Sequence, residues 1–410
     1  MPDRAACLAQ DTADPLASMR AQFALPEGVI YLDGNSLGAL PRQTPAAIEA
    51  AVRSDWGDGL IRSWTTADWI GKPHTLGRRI ARLIGAGETE VVVSDSTSVN
   101  LFKLLIAALR LKPERRVILS DIGNFPADLY IAEGVQRLFP ECEIRLIEAG
   151  DIAAALDRET AIVMLTHVNF RTGAVHDMAA INQAARAAGA LSLWDLSHSV
   201  GALPLDLCGC ASDLAIGCTY KYLNGGPGAP AFLFVRSGLQ DAIEPALTGW
   251  MGHAAPFDFA PDYRPAAGIA RNLSGTPPVL GMVALEAALE LFDGLDMAAV
   301  RAKSIALGDL FIDLVEQTCA AHSFTLASPR EGARRGSHVS FHHDDGYAIM
   351  QALIGRDVIG DFRSPDLLRF GFAPLYLRYV DVWDAVQHLV AVMDGREWDR
   401  DAHKARAAVT

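Results

Sequence analysis

The chain has 410 residues, of which 50% are hydrophobic and 21% charged, a balance that fits a globular protein with a large core and room for two or three domains. Its formal net charge of -13 argues against nucleic acid or an anionic membrane as the main partner, while leaving space for a local basic pocket. No apolar run is long enough to span a bilayer, since residues 101–111 are broken by Lys103 and Arg110.

In chain order, residues 1–55 read as an N-terminal segment, opening on Met1-Pro2-Asp3-Arg4 without the basic and apolar stretches of a signal peptide. From 91 to 235, short β-branched runs (91–93, 117–119, 143–147, 161–165, 191–194, 214–216 and 231–235) alternate with helical stretches at 99–111, 127–139 and 178–188. Strands separated by amphipathic helices indicate a largely parallel sheet with crossover connections. Ligands bind beyond the carboxyl ends of such strands. Residues 238–278, rich in Gly, Pro and aromatics, read as a long functional loop region. A helix is expected from 279 to about 318, with a weak spot at Asp293-Gly294-Leu295-Asp296. Beyond it, strands at 324–326, 338–341 and 367–370 and helices at 347–353 and 380–392 suggest a modest α+β domain. The expected fold is therefore α/β: a large domain over 56–279 with a mostly parallel central sheet, then a linking helix and smaller C-terminal domain over 280–410, against which 1–55 packs.

The chemistry-bearing residues fall at strand ends. Ser94-Asp95-Ser96-Thr97-Ser98 follows the first strand and opens a helix; hydroxyls, free N–H groups and the positive dipole end suit a phosphate, although plain N-capping uses the same residues. After the second strand, Asn124-Phe125-Pro126-Ala127-Asp128 offers an aromatic that can stack on a planar ring and an acid that can cap or bond a ligand. Thr166 ends the fourth strand. Asp195 ends the fifth, where burial demands a partner for its carboxylate; a protonated pyridine nitrogen would be one, and His198 could bond the same carboxylate or a phosphate. Lys221 lies in Cys218-Thr219-Tyr220-Lys221-Tyr222-Leu223-Asn224-Gly225-Gly226-Pro227-Gly228, with no carboxylate within seven residues. Only six lysines stand against thirty arginines, and the other five lie in segments that read as surface helices, turns or tail. An amine in such surroundings is partly desolvated, which favours the neutral form that a Schiff-base lysine requires.

A phosphate anchor, a stacking ring, a pyridinium partner and a reactive amine together form the apparatus for pyridoxal 5'-phosphate. No GxGxxG follows a strand and no GxxxxGK[ST] is present, which argues against dinucleotide and nucleoside triphosphate. The six cysteines (7, 142, 208, 210, 218 and 319) are scattered, as in a reducing cytoplasm. Cys208-Gly209-Cys210 lacks a second ligand pair and reads as structural, so no metal is expected.

The chain resembles the kynureninases, fold-type I pyridoxal-phosphate enzymes of the class V aminotransferase superfamily. The resemblance spans nearly the whole chain. It rests on Tyr31-Leu32-Asp33-Gly34-Asn35-Ser36-Leu37-Gly38, the 94–101 and 125–128 stretches, Asn169-Phe170-Arg171-Thr172-Gly173, Trp194-Asp195-Leu196-Ser197-His198-Ser199, the Lys221 loop and Leu368-Arg369-Phe370-Gly371. It implies hydrolytic cleavage of L-kynurenine or 3-hydroxykynurenine to anthranilate or 3-hydroxyanthranilate and L-alanine, a step of tryptophan catabolism and NAD biosynthesis. Lys221 would bond the cofactor, Asp195 would pair with its ring nitrogen with His198 nearby, and Phe125 would stack on the ring with Pro126, Ala127 and Asp128 beside it. Ser96 and Thr97 would hold the phosphate, Tyr220 would donate to it and serve as a proton donor, and Thr166 would lie near the ring substituents. Trp250 and Thr276 would reach the cofactor from a second subunit, making the enzyme a homodimer with a shared site. Arg369 would clamp the substrate α-carboxylate, and Ser36 and Trp64 would line the substrate pocket. Ala127 stands where a threonine is common and Thr276 where animal enzymes carry asparagine, which leaves substrate preference open. Cysteine desulfurases would carry a histidine just before the lysine, where this chain has Tyr220. Another fold-type I enzyme, such as a desulfurase or aminotransferase, or a cofactor-binding sensor, are the alternatives.

Overall fold

A computed structural model describes residues 2–406. Its centre is a seven-stranded sheet ordered 91–93, 232–235, 214–217, 191–195, 160–166, 117–121, 143–147. Neighbours are parallel except Phe232–Val235, which runs antiparallel to both Val91–Val93 and Leu214–Gly217. Strand Thr160–Thr166 is buried along its whole length, as expected of a parallel strand covered on both faces. The period-two alternation divides the core accordingly: Val117, Leu119, Val163 and Leu165 face one apolar cluster, and Ile118, Ile162 and Met164 face the other. Helix Thr97–Leu111 supplies Leu101, Leu104, Leu105 and Ala108 to the second cluster. The first cluster continues through Leu285 and Leu307 into Phe341 and Phe370 of the C-terminal part.

The weak spot at 293–296 is a break. Helix Val279–Leu289 gives way to a short 3-10 turn, Gly294 adopts φ +72, and Asp296 caps a second helix, Met297–Thr318, by accepting from Ala298 N at 2.8 Å. Beyond it lies a four-stranded antiparallel sheet ordered 361–363, 367–371, 338–342, 325–326, with helices Gly346–Ile354 and Tyr379–Asp394.

The N-terminal segment divides its contacts. Helix Arg4–Ala13 packs on Tyr379–Asp394, where the Asp11 carboxylate accepts from Tyr379 N at 2.6 Å and Val380 N at 3.2 Å. Strand Ile30–Tyr31 pairs with Val358–Ile359. Helix Thr44–Ala50 and the π-helix Ala51–Gly59 pack instead on Val279–Leu289. Among the described residues, no helix is long and apolar enough to cross a membrane, no group of three or more His, Cys, Asp and Glu is placed to hold a metal, and all six cysteines are free.

Candidate active site

Lys221 lies just past strand Leu214–Gly217, in a turn closed by Asn224 N donating to Lys221 O and Gly225 N donating to Thr219 O, both at 2.9 Å. The N-terminal motif fixes this turn from outside: Gly38 N donates to Tyr220 O at 2.7 Å, and a Cβ at Gly38 would stand 2.3 Å from Lys221 O. Only glycine lets the two backbones approach so closely. The amine opens into a cavity of about 420 Å³ at the carboxyl ends of the central strands. Its Nζ lies 3.3 and 3.4 Å from the two ring nitrogens of His198 and 6.0 Å from the centroid of the Phe125 ring. Desolvation lowers the Lys221 amine from its ordinary value, and the repulsion of Arg369 adds to this. His198 is pushed well below the usual imidazole range by burial and then by the Lys221 charge, so it faces the amine as a neutral ring.

Two carboxyls form the cavity's inner wall. Asp195 ends its strand directly beside Thr166 and accepts from Ser197 N at 2.7 Å. Burial raises it, while the Lys221 charge pulls it back. Asp128, in the first turn of helix Pro126–Gln136, is raised well above the carboxylate range by burial and by the Asp195 charge. Its Oδ2 is buried without a hydrogen-bond partner. Two carboxyls pushed apart in this way leave one ionised and one protonated. At the far end, Ser96 caps helix Thr97–Leu111, its Oγ accepting from Val99 N at 3.3 Å, with Thr97 as the first helical residue. Tyr220 on the rim stays protonated: the neighbouring Cys218 and burial raise its phenol above the usual value.

The residues suit pyridoxal phosphate. The unpartnered Asp128 oxygen and buried Asp195 can meet polar ring atoms, Phe125 presents an exposed ring to the cavity, and the helix start offers free N–H groups to a phosphate.

Next to this cavity, Arg369 is buried, 2% exposed, and forked on Asp361: its Nε donates to Oδ1 at 2.8 Å and its Nη2 ion-pairs with Oδ2. It also donates to Phe170 O at 2.6 Å and to Ser36 Oγ at 2.9 Å. Arg363 shares the same carboxylate at 2.7 Å. Burial acts to raise Asp361, but the two guanidiniums and Ser36 outweigh it and hold it low. Asp33 is pushed up to about 7 by burial and then by the Asp361 charge.

A sequence profile for the kynureninase C-terminal domain matches residues 300–389. The chain is 53% identical to a kynureninase of Pseudomonas fluorescens and 54% identical to one of Burkholderia mallei (strain SAVP1), in each case over 100% of both chains. The chain belongs to the kynureninase family. Among solved structures, an apo cysteine desulfurase of Thermococcus onnurineus NA1 superposes with a TM-score of 0.77 at 18% identity, covering 92% of this chain and 98% of that one. A C-DES mutant with glycine covalently linked to its PLP cofactor gives 0.78 at 20% identity, covering 93% and 99%. This kynureninase-family chain thus has the same α/β fold as these two proteins.

The cavity gathers Ser96, Thr97, Phe125, Ala127, Asp128, Thr166, Asp195, His198, Tyr220, Lys221 and Thr276. Thr276 does so within its own chain. Pro126 starts its helix outside the lining. Arg369 and Ser36 lie behind the cavity in the Asp361 cluster, Trp64 packs edge-on to Trp69 at 6.0 Å, and Trp250, 37% exposed, sits among Phe257 and Phe259.

Two sequence readings need correction. His198 turns to the Lys221 amine rather than to the Asp195 carboxylate. Lys221 is also not the one enclosed lysine: Lys103 is 3% exposed and Lys303 6%. Both lie on inward helix faces and ion-pair with carboxylates, Lys103 with Asp95 and Lys303 with Asp14 at 2.6 Å. What sets Lys221 apart is therefore the lack of a bonded carboxylate. Sequence reasoning passed over Asp361 and Arg363, whose only signal was their spacing on a short strand before Arg369. It also missed the cavity-lining Met251 and Leu273, which sit in irregular segments with no periodic signal.

Proposed function

We propose that this chain is a kynureninase, which cleaves the β,γ carbon–carbon bond of L-kynurenine or 3-hydroxykynurenine with water to give the anthranilate and L-alanine. The observation that carries the reading is a desolvated Lys221 with no bonded carboxylate, facing two buried carboxyls across a ring-sized cavity, in a chain with full-length kynureninase relatives. Pyridoxal phosphate is the cofactor; when bound, it supplies an electron sink for charge developing at the substrate's α-carbon. Lys221, Asp195 and the 96–97 helix start would hold it at three points, and Phe125 would cover its ring.

The protein's own residues do the rest. The Lys221 amine, lowered toward its neutral form, takes the α-proton, with neutral His198 within reach of the same nitrogen. Asp195, buried in the cavity wall, would pair with the cofactor's ring nitrogen and keep it protonated. Water adds to the γ-carbonyl, the β,γ bond breaks with release of the anthranilate carboxyl, and Tyr220, a phenol at neutral pH, gives a proton to the β-carbon that stays with the alanine. Arg369, whose fork Asp361 occupies, would reach the substrate's α-carboxylate by exchanging its bonds to Ser36 Oγ and Phe170 O.

We place the active form as a homodimer. The support is a set of exposed apolar side chains near the cavity's open side and on the 51–61 segment, among them Trp56, Ile61, Trp250, Phe257 and Phe259, which a second copy would cover. Six free cysteines, one of them exposed, accord with the cytoplasm.

The test is product identity. Incubation with L-kynurenine should yield anthranilate and alanine in equal amounts; sulfide from cysteine without anthranilate would favour a desulfurase.

A further inference from the structure

The end of the cavity that suits a phosphate carries a carboxylate. Asp95 lines the cavity between Ser94 and Ser96, with φ 48, a left-handed backbone uncommon outside glycine. Its side chain is 27% exposed. A free carboxylate at this point would repel the phosphate that the adjoining helix start attracts.

Lys103 supplies the opposing charge. It projects from the inner face of helix Thr97–Leu111, ion-pairs with Asp95 Oδ2 and donates to Asn272 O at 2.7 Å. Ser94 Oγ donates to the same Asp95 oxygen at 2.5 Å, and Ala231 N donates to Asp95 O at 2.9 Å. Asn272 leads into Leu273, Gly275 and Thr276, which wall the cavity on another side. One buried ammonium thus neutralises the carboxylate and ties two walls of the cavity together. The mechanism gives Lys103 no other task. A surface salt bridge would not need this enclosure, and lining a phosphate site with Asp95 makes sense only with its charge cancelled.

We propose that Lys103 is a positioning residue for the cofactor's phosphate: it acts through Asp95, cancelling its charge and holding the 94–98 turn against the 272–276 wall. The inference rests on reading the cavity as the pyridoxal-phosphate site.

The test compares apoenzyme binding of pyridoxal phosphate with that of unphosphorylated pyridoxal, followed by intrinsic fluorescence. The proteins are wild type, Lys103→Met, Lys103→Gln and the double variant Lys103→Met/Asp95→Asn. Lys103→Met should weaken the phosphate ester by roughly tenfold or more while leaving pyridoxal within about threefold. The loss should shrink as salt is added. Lys103→Gln keeps hydrogen-bonding capacity without charge, so it should show the same selective loss even where the methionine variant fails to fold. The double variant, which removes both charges, should regain most of the affinity. Equal weakening of both ligands, or a double variant no better than the single one, would overturn the inference. A wild-type protein that binds neither ligand would instead remove the cofactor reading on which it stands.

Discussion

A lysine can act as a base near neutral pH only when its ammonium form is made costly, and the protein does this at Lys221 by enclosure without a bonded carboxylate. Lys103 and Lys303 are the internal controls: they are more deeply buried, yet each is bound to an aspartate, so neither amine is free to act as a base. Asp195 and Asp128 repeat the logic with opposite sign, since burial pushes both carboxyls up and the Asp195 charge raises Asp128 further, keeping Asp128 protonated. Tyr220 belongs to the same set, as its raised phenol keeps a proton to give. Replacing Tyr220 with phenylalanine should slow turnover by ~10²–10⁴-fold, the usual worth of a positioned proton donor. Steady-state kinetics on protein saturated with cofactor would check this, and an unchanged kcat would remove Tyr220 from the chemistry.

At the level of elements, the strand-to-helix turns position the site, and these turns were the most legible part of the sequence. Seven β-branched runs and their helices sit where the alternation placed them, because hydrophobic periodicity is written directly in the chain. Asp195, Thr166 and Lys221 meet because their strands are neighbours in a parallel sheet. The short strands Ile30–Tyr31, Val358–Ile359 and Asp361–Arg363 were not legible: two or three residues carry no period, and their pairing comes from tertiary contact. For the same reason the sequence could nominate Arg369 but not the Asp361 that orients it. The Gly38 contact with the Lys221 turn likewise joins segments far apart in the chain. Gly38→Ala would press a methyl against the Lys221 carbonyl and should cost about 1–3 kcal/mol of overpacking strain. Because the strain falls on the lysine turn, cofactor affinity should drop with it; titration and chemical denaturation would show whether both change.

For the whole molecule, one apolar cluster runs from the large sheet through helix Met297–Thr318 into the C-terminal sheet, so the two parts share a core around the site. His338 lies in this junction, fully enclosed. Its ring is 5.6 Å from that of His198, and burial, reinforced by Arg369, lowers it from 6.5 to about 3. Between these two values the unfolded chain takes up a proton that the folded chain refuses, so this residue destabilises the fold progressively as pH falls below 6.5. Glutamine at 338 removes that contribution. The stability of His338→Gln relative to wild type should therefore improve between pH 7 and pH 4.5, measured by denaturant unfolding; a difference that stays constant with pH would contradict it. The proposed homodimer would cover the exposed aromatic and aliphatic set that includes Ile61 and Phe259, each 78% exposed. Light scattering should give twice the mass of one chain, and Phe259→Asp combined with Ile61→Asp should lower it.

The assignment of cleavage chemistry to the Lys221 cavity meets its most direct test in the fluorescence of released anthranilate, followed when L-kynurenine is added to cofactor-reconstituted wild type and to Lys221→Ala in parallel. Wild type should release anthranilate continuously, and the variant should lose both this signal and the visible absorbance of the reconstituted protein. No anthranilate from the wild type, or undiminished release from Lys221→Ala, would contradict the assignment.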